Sequence, residues 1–140
     1  MIKRFLPILF LGFFAFACTT QNIAITLASL LSAGNGTWKV SAAKFGDEEA
    51  PRGMYDRFTI QFKNDGSYVA TNPDGSVVFT ALLNGKWREG TAPNTLIFDG
   101  NVTVREIANL RTPNKLTFEW EVSIPGKITT TYRLELTKTN

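Results

Sequence analysis

The chain is 140 residues long, with a formal net charge of +3, one cysteine and no histidine. That length suits one domain, and a lone cysteine without histidine excludes an internal disulfide, most zinc sites and every triad built on imidazole. Lys3 and Arg4 belong to the first few residues, so the charge beyond them is only +1, which gives no electrostatic case for nucleic acid.

Met1 to Arg4 is a short basic start, Phe5 to Phe16 is almost continuously apolar, and Ala15-Phe16-Ala17 places small residues just before Cys18. These are the parts of a signal peptide over residues 1–17. The apolar run of about a dozen residues is too short to span a hydrocarbon core of about 30 Å as a helix. The segment resembles the leader of a bacterial lipoprotein, although Ala15 stands where leucine is usual. The resemblance implies that Cys18 becomes the first mature residue and carries the lipid. An ordinary secretory leader cut at the same point would leave Cys18 as a free thiol, an unfavourable state in an oxidising compartment.

Residues 18–36 read as a tether followed by a short helix. Ile23, Leu27, Leu30 and Leu31 recur at helical spacing over Ile23 to Ser32, and Gly34 and Gly36 end the pattern. From Thr37 the period becomes two, with turn signals about every eight to twelve residues. Expected strands are Thr37 to Ala43, Phe58 to Lys63, Ser67 to Asn72, Val77 to Leu83, Lys86 to Glu89, Thr95 to Phe98, Val102 to Asn109, Leu116 to Ser123 and a last strand from Ile128 to Thr137. Lys44 to Asp56 reads as the longest loop, and Asn84-Gly85 as a tight turn. Short hairpin connections make sequence neighbours antiparallel partners, and closure removes exposed edges. The expected fold is all-β: an antiparallel up-and-down barrel of eight or nine strands over residues 37–138, with a short N-terminal helix.

Gly36-Thr37-Trp38, the Phe58 to Gly66 stretch, Gly85-Lys86-Trp87 and Thr112-Pro113-Asn114-Lys115-Leu116 occur in an order that resembles the lipocalin-like domains of small Bacteroidetes lipoproteins. The resemblance runs from about Leu30 to Leu136. It implies a structural barrel end at Gly36, Trp38 and Arg133, with the Arg133 cation over the Trp38 indole. The parity of the last strand puts Arg133 outside, so that pairing requires Trp38 outside as well, beneath the helix. The resemblance also implies an open-ended cup for a small apolar molecule, in a protein of the bacterial cell envelope anchored at the outer membrane.

Phe58, Ile60, Phe62, Phe118, Trp120 and Tyr132 are expected to face inward and to line a pocket, if one exists. An eight-stranded barrel is only just wide enough for side chains to fill it or for one small ligand, so the same rings serve a filled core equally well. Two readings follow. One is a non-catalytic carrier of a small hydrophobic or amphipathic ligand; the other is a filled barrel used for protein contact, as an envelope inhibitor or accessory subunit, through the loop Lys44 to Asp56.

Neither a cofactor nor a metal is expected. Asp47-Glu48-Glu49 lacks the alternate spacing of a calcium loop. Glu119 and Glu121 share an outer face about 7 Å apart, but they alternate with buried residues as a solvated face does.

Overall fold

The computed structural model describes residues 25–80, 82–123 and 125–139. The signal segment 1–17 and Cys18 lie outside them, as do the first two residues of the expected helix.

The helix α1 is Leu27–Ser32, shorter than its apolar spacing indicated. Thr26 caps it by accepting the Ser29 N–H, and Leu27, Leu30 and Leu31 turn their side chains into the core. Gly36 follows, with a φ of +61°. A Cβ there would stand 2.1 Å from the Phe62 carbonyl oxygen, so this residue allows the chain to enter the first strand hard against a neighbouring one.

The strands are β1 (Thr37–Phe45), β2 (Glu48–Glu49), β3 (Thr59–Phe62), β4 (Ser67–Thr71), β5 (Asn84–Glu89), β6 (Thr95–Phe98), β7 (Val102–Glu106), β8 (Lys115–Val122) and β9 (Thr130–Lys138). All pair antiparallel in the order β2-β1-β3-β4-β5-β6-β7-β8-β9, and β1 also pairs with β9 from Trp38↔Lys138 to Phe45↔Tyr132. Eight strands therefore close into an up-and-down barrel of lipocalin-like form, and β2 is an extra hairpin arm on β1. A bulge between Val40 and Ala42 shifts the register of the closing seam, bending β1 where the barrel turns.

Several boundaries depart from expectation. The long loop is broken because β1 runs on to Phe45 and Gly46 turns it into β2. Val102 to Asn109 splits into β7 and a 3-10 turn, Ala108–Leu110. The last strand starts only at Thr130, leaving Ile128 85 % exposed in the preceding turn.

The largest departure is Val77 to Leu83, of whose described residues none lies in a strand. Val69 pairs directly with Asn84 and the Ala70 N–H donates to the Leu83 carbonyl at 2.7 Å, so β4 and β5 meet without the rest of the segment, and the described residues between Thr71 and Leu83 leave the sheet as an excursion. Asn84 and Gly85 are consequently strand residues, not a turn.

The two ends of the barrel differ. One holds α1, the start of β1 and the ends of β3 and β5. Trp38 is fully buried there, donating its indole N–H to the Leu31 carbonyl at 2.9 Å. The Trp38–Arg133 pairing does not form. Trp38 points inward beneath the helix, and Lys138, its register partner, brings its ammonium 5.5 Å from the indole centroid. Arg133 stays on the outer face as parity requires, hydrogen-bonded to Glu119. A cation does meet the ring, but from five residues further along β9.

Candidate functional site

The opposite end is the mouth, ringed by residues 46–58, 72–83, 99–101 and the turn before β9. Its inner wall is aromatic. Phe45 and Tyr132 lie 4.7 Å apart between ring centroids, Tyr132 and Trp120 5.6 Å, and Trp120 and Phe79 5.8 Å. Phe79 comes from the excursion between β4 and β5, yet it is 2 % exposed. It also meets Phe98 at 4.6 Å and Phe118 at 5.5 Å. These edge-on and tilted contacts are the favoured arrangements for aromatic rings and add to the gain from burial.

The six residues expected to line a pocket do not form one group. Phe118 and Trp120 surround Phe79, and Tyr132, half-buried, joins them through Trp120. Phe58 sits at the mouth against Tyr55, 6.4 Å away. Ile60 pairs in register with Trp38, and Phe62 packs on Trp87 at 5.4 Å, so these two belong to the closed end. Phe79 is not among the six, because sequence reading puts it in an expected strand, Val77 to Leu83. Its apolar neighbours Val77 and Val78 give a strand-like run, and nothing local distinguishes an inward-facing strand residue from a ring folded into the barrel by a loop.

Two sets of polar contacts hold the excursion over the mouth. Tyr55 donates its hydroxyl to the Val77 carbonyl at 2.5 Å, Ser76 donates to the Met54 carbonyl, and Arg57 pairs with Asp74. Deeper, the Tyr68 hydroxyl donates to Asp99 Oδ2 at 2.6 Å and also meets the Thr80 hydroxyl. Burial, and then the bond to Asp99, push the Tyr68 hydroxyl up to about 12; burial does the same for Tyr55. Both phenols are therefore neutral donors at physiological pH.

Outside, Glu119 accepts from both Arg105 and Arg133, while Lys44 pairs with Glu49 and Lys115 with Glu135. Burial raises the Glu119 carboxyl, but the hydrogen bonds from the two arginines outweigh it and hold the group below its usual range. A general acid working beside Glu121 would need the opposite shift. The 480 Å3 concavity over Glu119 is lined by Lys44, Asp47 and Arg133 among others; Lys44 and Arg133 are already engaged by carboxylates.

A buried pair at the closed end was not legible as a pair. Glu106 has no exposed side-chain surface and is held by Arg111 through two hydrogen bonds of 3.0 and 2.6 Å. Arg111 also donates to Asn94 Oδ1 at 2.9 Å. The available signal was an acid at the inward parity of β7, alongside Val104, since a buried carboxylate needs a partner.

Among the described residues no group of three or more acidic, cysteine or histidine side chains is placed to hold a metal ion, and no helix is long and apolar enough to cross a membrane. In comparison with known proteins, no family model, no curated protein and no solved structure matches this chain.

Proposed function

We propose that this chain is a non-catalytic lipocalin-like protein of the bacterial cell envelope, tethered through a lipid on Cys18, that takes a small hydrophobic or amphipathic molecule into the mouth half of its barrel. The observation that carries this reading is the ring of Phe98, Phe118 and Trp120 around a position filled by Phe79, a side chain supplied by an irregular segment and not by the wall. A molecule with one apolar end would find the same contacts there and keep its polar end by the hydroxyls of Tyr55 and Tyr132. Apolar sites with a few placed polar groups are the usual form of small-molecule binding.

Ile25 is seven positions beyond Cys18, a reach of at most about 25 Å, and it leads into α1 at the closed end. A lipid on Cys18 would join the barrel at its closed end, opposite the mouth. Replacing Cys18 with serine is expected to move the protein from the membrane fraction to the soluble one and to remove the acyl mass; retention in the membrane without that mass would overturn the tether.

All described helix and strand elements lie within residues 27–138, so the chain from Thr19 onward contains the whole core. That form should bind N-phenyl-1-naphthylamine saturably, and Phe118→Arg, checked for folding by circular dichroism, should lose the signal. A second reading, a filled barrel serving as a protein-interaction module, is favoured by how completely Phe79 and its neighbours are buried. Dye binding that is absent or non-saturable would favour it.

A further inference from the structure

We propose that residues 72–83 are a built-in plug whose Phe79 ring occupies the ligand's place, and that Tyr68, Thr80 and Asp99 form the latch that sets how often the plug lifts. This rests on the carrier reading and adds the regulation of that site. The plug differs from the wall in how its backbone is held. Val69↔Asn84 closes the β4–β5 ladder behind it, and its first turn is satisfied locally: Asn72 accepts the Ser76 N–H and donates to the Ser76 carbonyl. The Ala70 N–H donates to the Leu83 carbonyl at 2.7 Å, so the plug hinges at Leu83 and what precedes it can lift without breaking the β4–β5 pairing. Its two flanks carry exposed Val77, Leu82 and Leu83, while Phe79 and Thr80 between them are buried.

The latch is built from three strands' worth of structure. Tyr68 projects from β4, Thr80 belongs to the plug, and Asp99 follows β6, where its backbone takes a φ of +51°. Asp99 is fixed by β5: its N–H donates to the Lys86 carbonyl at 2.8 Å, and its Oδ1 accepts the Lys86 N–H at 3.0 Å. With Oδ1 so engaged, Oδ2 is left for Tyr68 at 2.6 Å and Thr80 at 3.4 Å. Gly85 makes room for this. A Cβ at that position would stand 2.0 Å from Asp99 Oδ1 and 2.6 Å from the Tyr68 hydroxyl. The Thr80 hydroxyl also accepts the Leu82 N–H at 3.2 Å, tying the far flank of the plug to the same point.

When a competent state is only fractionally populated, apparent affinity falls by that fraction. A latch hydrogen bond that exists only with the plug seated shifts the population by its net strength, and its removal raises affinity about threefold to tenfold. The chain from Thr19 onward and its variants are titrated with N-phenyl-1-naphthylamine. Thr80→Val and Tyr68→Phe, which keep the shape of each side chain, should each bind the probe about threefold to tenfold more tightly than the parent. Phe79→Ala should bind most tightly, and adding Thr80→Val to it should change nothing.

If Phe79→Ala binds but Thr80→Val and Tyr68→Phe match the parent, the latch is overturned and the carrier reading stands. If Phe79→Ala folds and does not bind, both fall. Hydrogen exchange on the parent chain provides a test free of substitutions. Saturating probe should accelerate exchange in residues 72–83 while the strands are slowed, and slower exchange in 72–83 would overturn the plug.

Discussion

Arg111→Ala should lower the free energy of unfolding by about 3 to 5 kcal/mol, because it leaves the Glu106 carboxylate buried without its counter-charge. The side chain of Glu106 has no exposed surface, and the two hydrogen bonds from Arg111 are its partners. Urea unfolding monitored by circular dichroism measures the loss. Arg133→Ala is the comparison: that side chain is 46 % exposed and shares Glu119 with Arg105, so its loss should cost less than about 1 kcal/mol. Equal losses would mean that burial does not govern these pairs. Replacing both members, Glu106→Leu with Arg111→Met, should recover most of the stability, since an apolar pair of similar volume no longer carries a desolvated charge.

Gly36→Ala should be the most damaging change of a single methyl group. Two costs add. The positive φ of +61° disfavours any side chain by roughly 1 to 2 kcal/mol, and the new Cβ would press on the Phe62 carbonyl oxygen, a backbone atom that cannot swing aside. Phe62 also donates its N–H to the Gly36 carbonyl at 2.8 Å, so the clash falls on a contact that joins the start of β1 to the end of β3. Gly34→Ala isolates the first cost, having a φ of +66° and open space where its Cβ would be. Gly34→Ala should lose about 1 to 2 kcal/mol and Gly36→Ala at least twice that; similar losses would show that the approach of the two strands is not tight.

In the proposed latch, Thr80→Val offers a finer comparison than either substitution, because it changes a side chain of the plug and none of the barrel wall. The closed end and the mouth have separate jobs on this reading. Trp38, Phe62 and the Glu106–Arg111 pair hold the barrel shut beneath α1, and the rings near Phe79 sit where the wall is completed by a loop. Regions that must move for binding are drawn from the less stable parts of a fold, and the described residues between β4 and β5 carry neither helix nor strand.

Much of the architecture is written in the chain itself. In β8, Leu116, Phe118 and Trp120 are buried while Glu119 and Glu121 are turned outward, and in β9 Leu134 and Leu136 alternate with Arg133 and Glu135 in the same way. A period of two is a direct consequence of strand geometry, so a half-buried strand writes its inner face into the chain. The turns at Asn64-Asp65-Gly66 and Asp99-Gly100 were equally plain, with Gly66 at a φ of +75° and Gly100 at +81°, since only certain residues tolerate such backbones.

Alternation, short turn spacing and one stretch of helical spacing thus determined that this chain forms an antiparallel, up-and-down set of strands with one dry face, preceded by a short apolar helix. Tertiary structure alone decided which of several buried-looking residues meet. Val77 to Leu83 carries the apolar character of a strand but lies outside the ladder, because Asn84 finds its partner in Val69 and Phe79 finds its ring contacts across the barrel. Trp38 takes Lys138 in place of Arg133, and Glu106 takes Arg111, for the same reason: each contact depends on the register of closure between strands distant in sequence. Local periodicity states which way a side chain points; only the closed barrel states what stands opposite it.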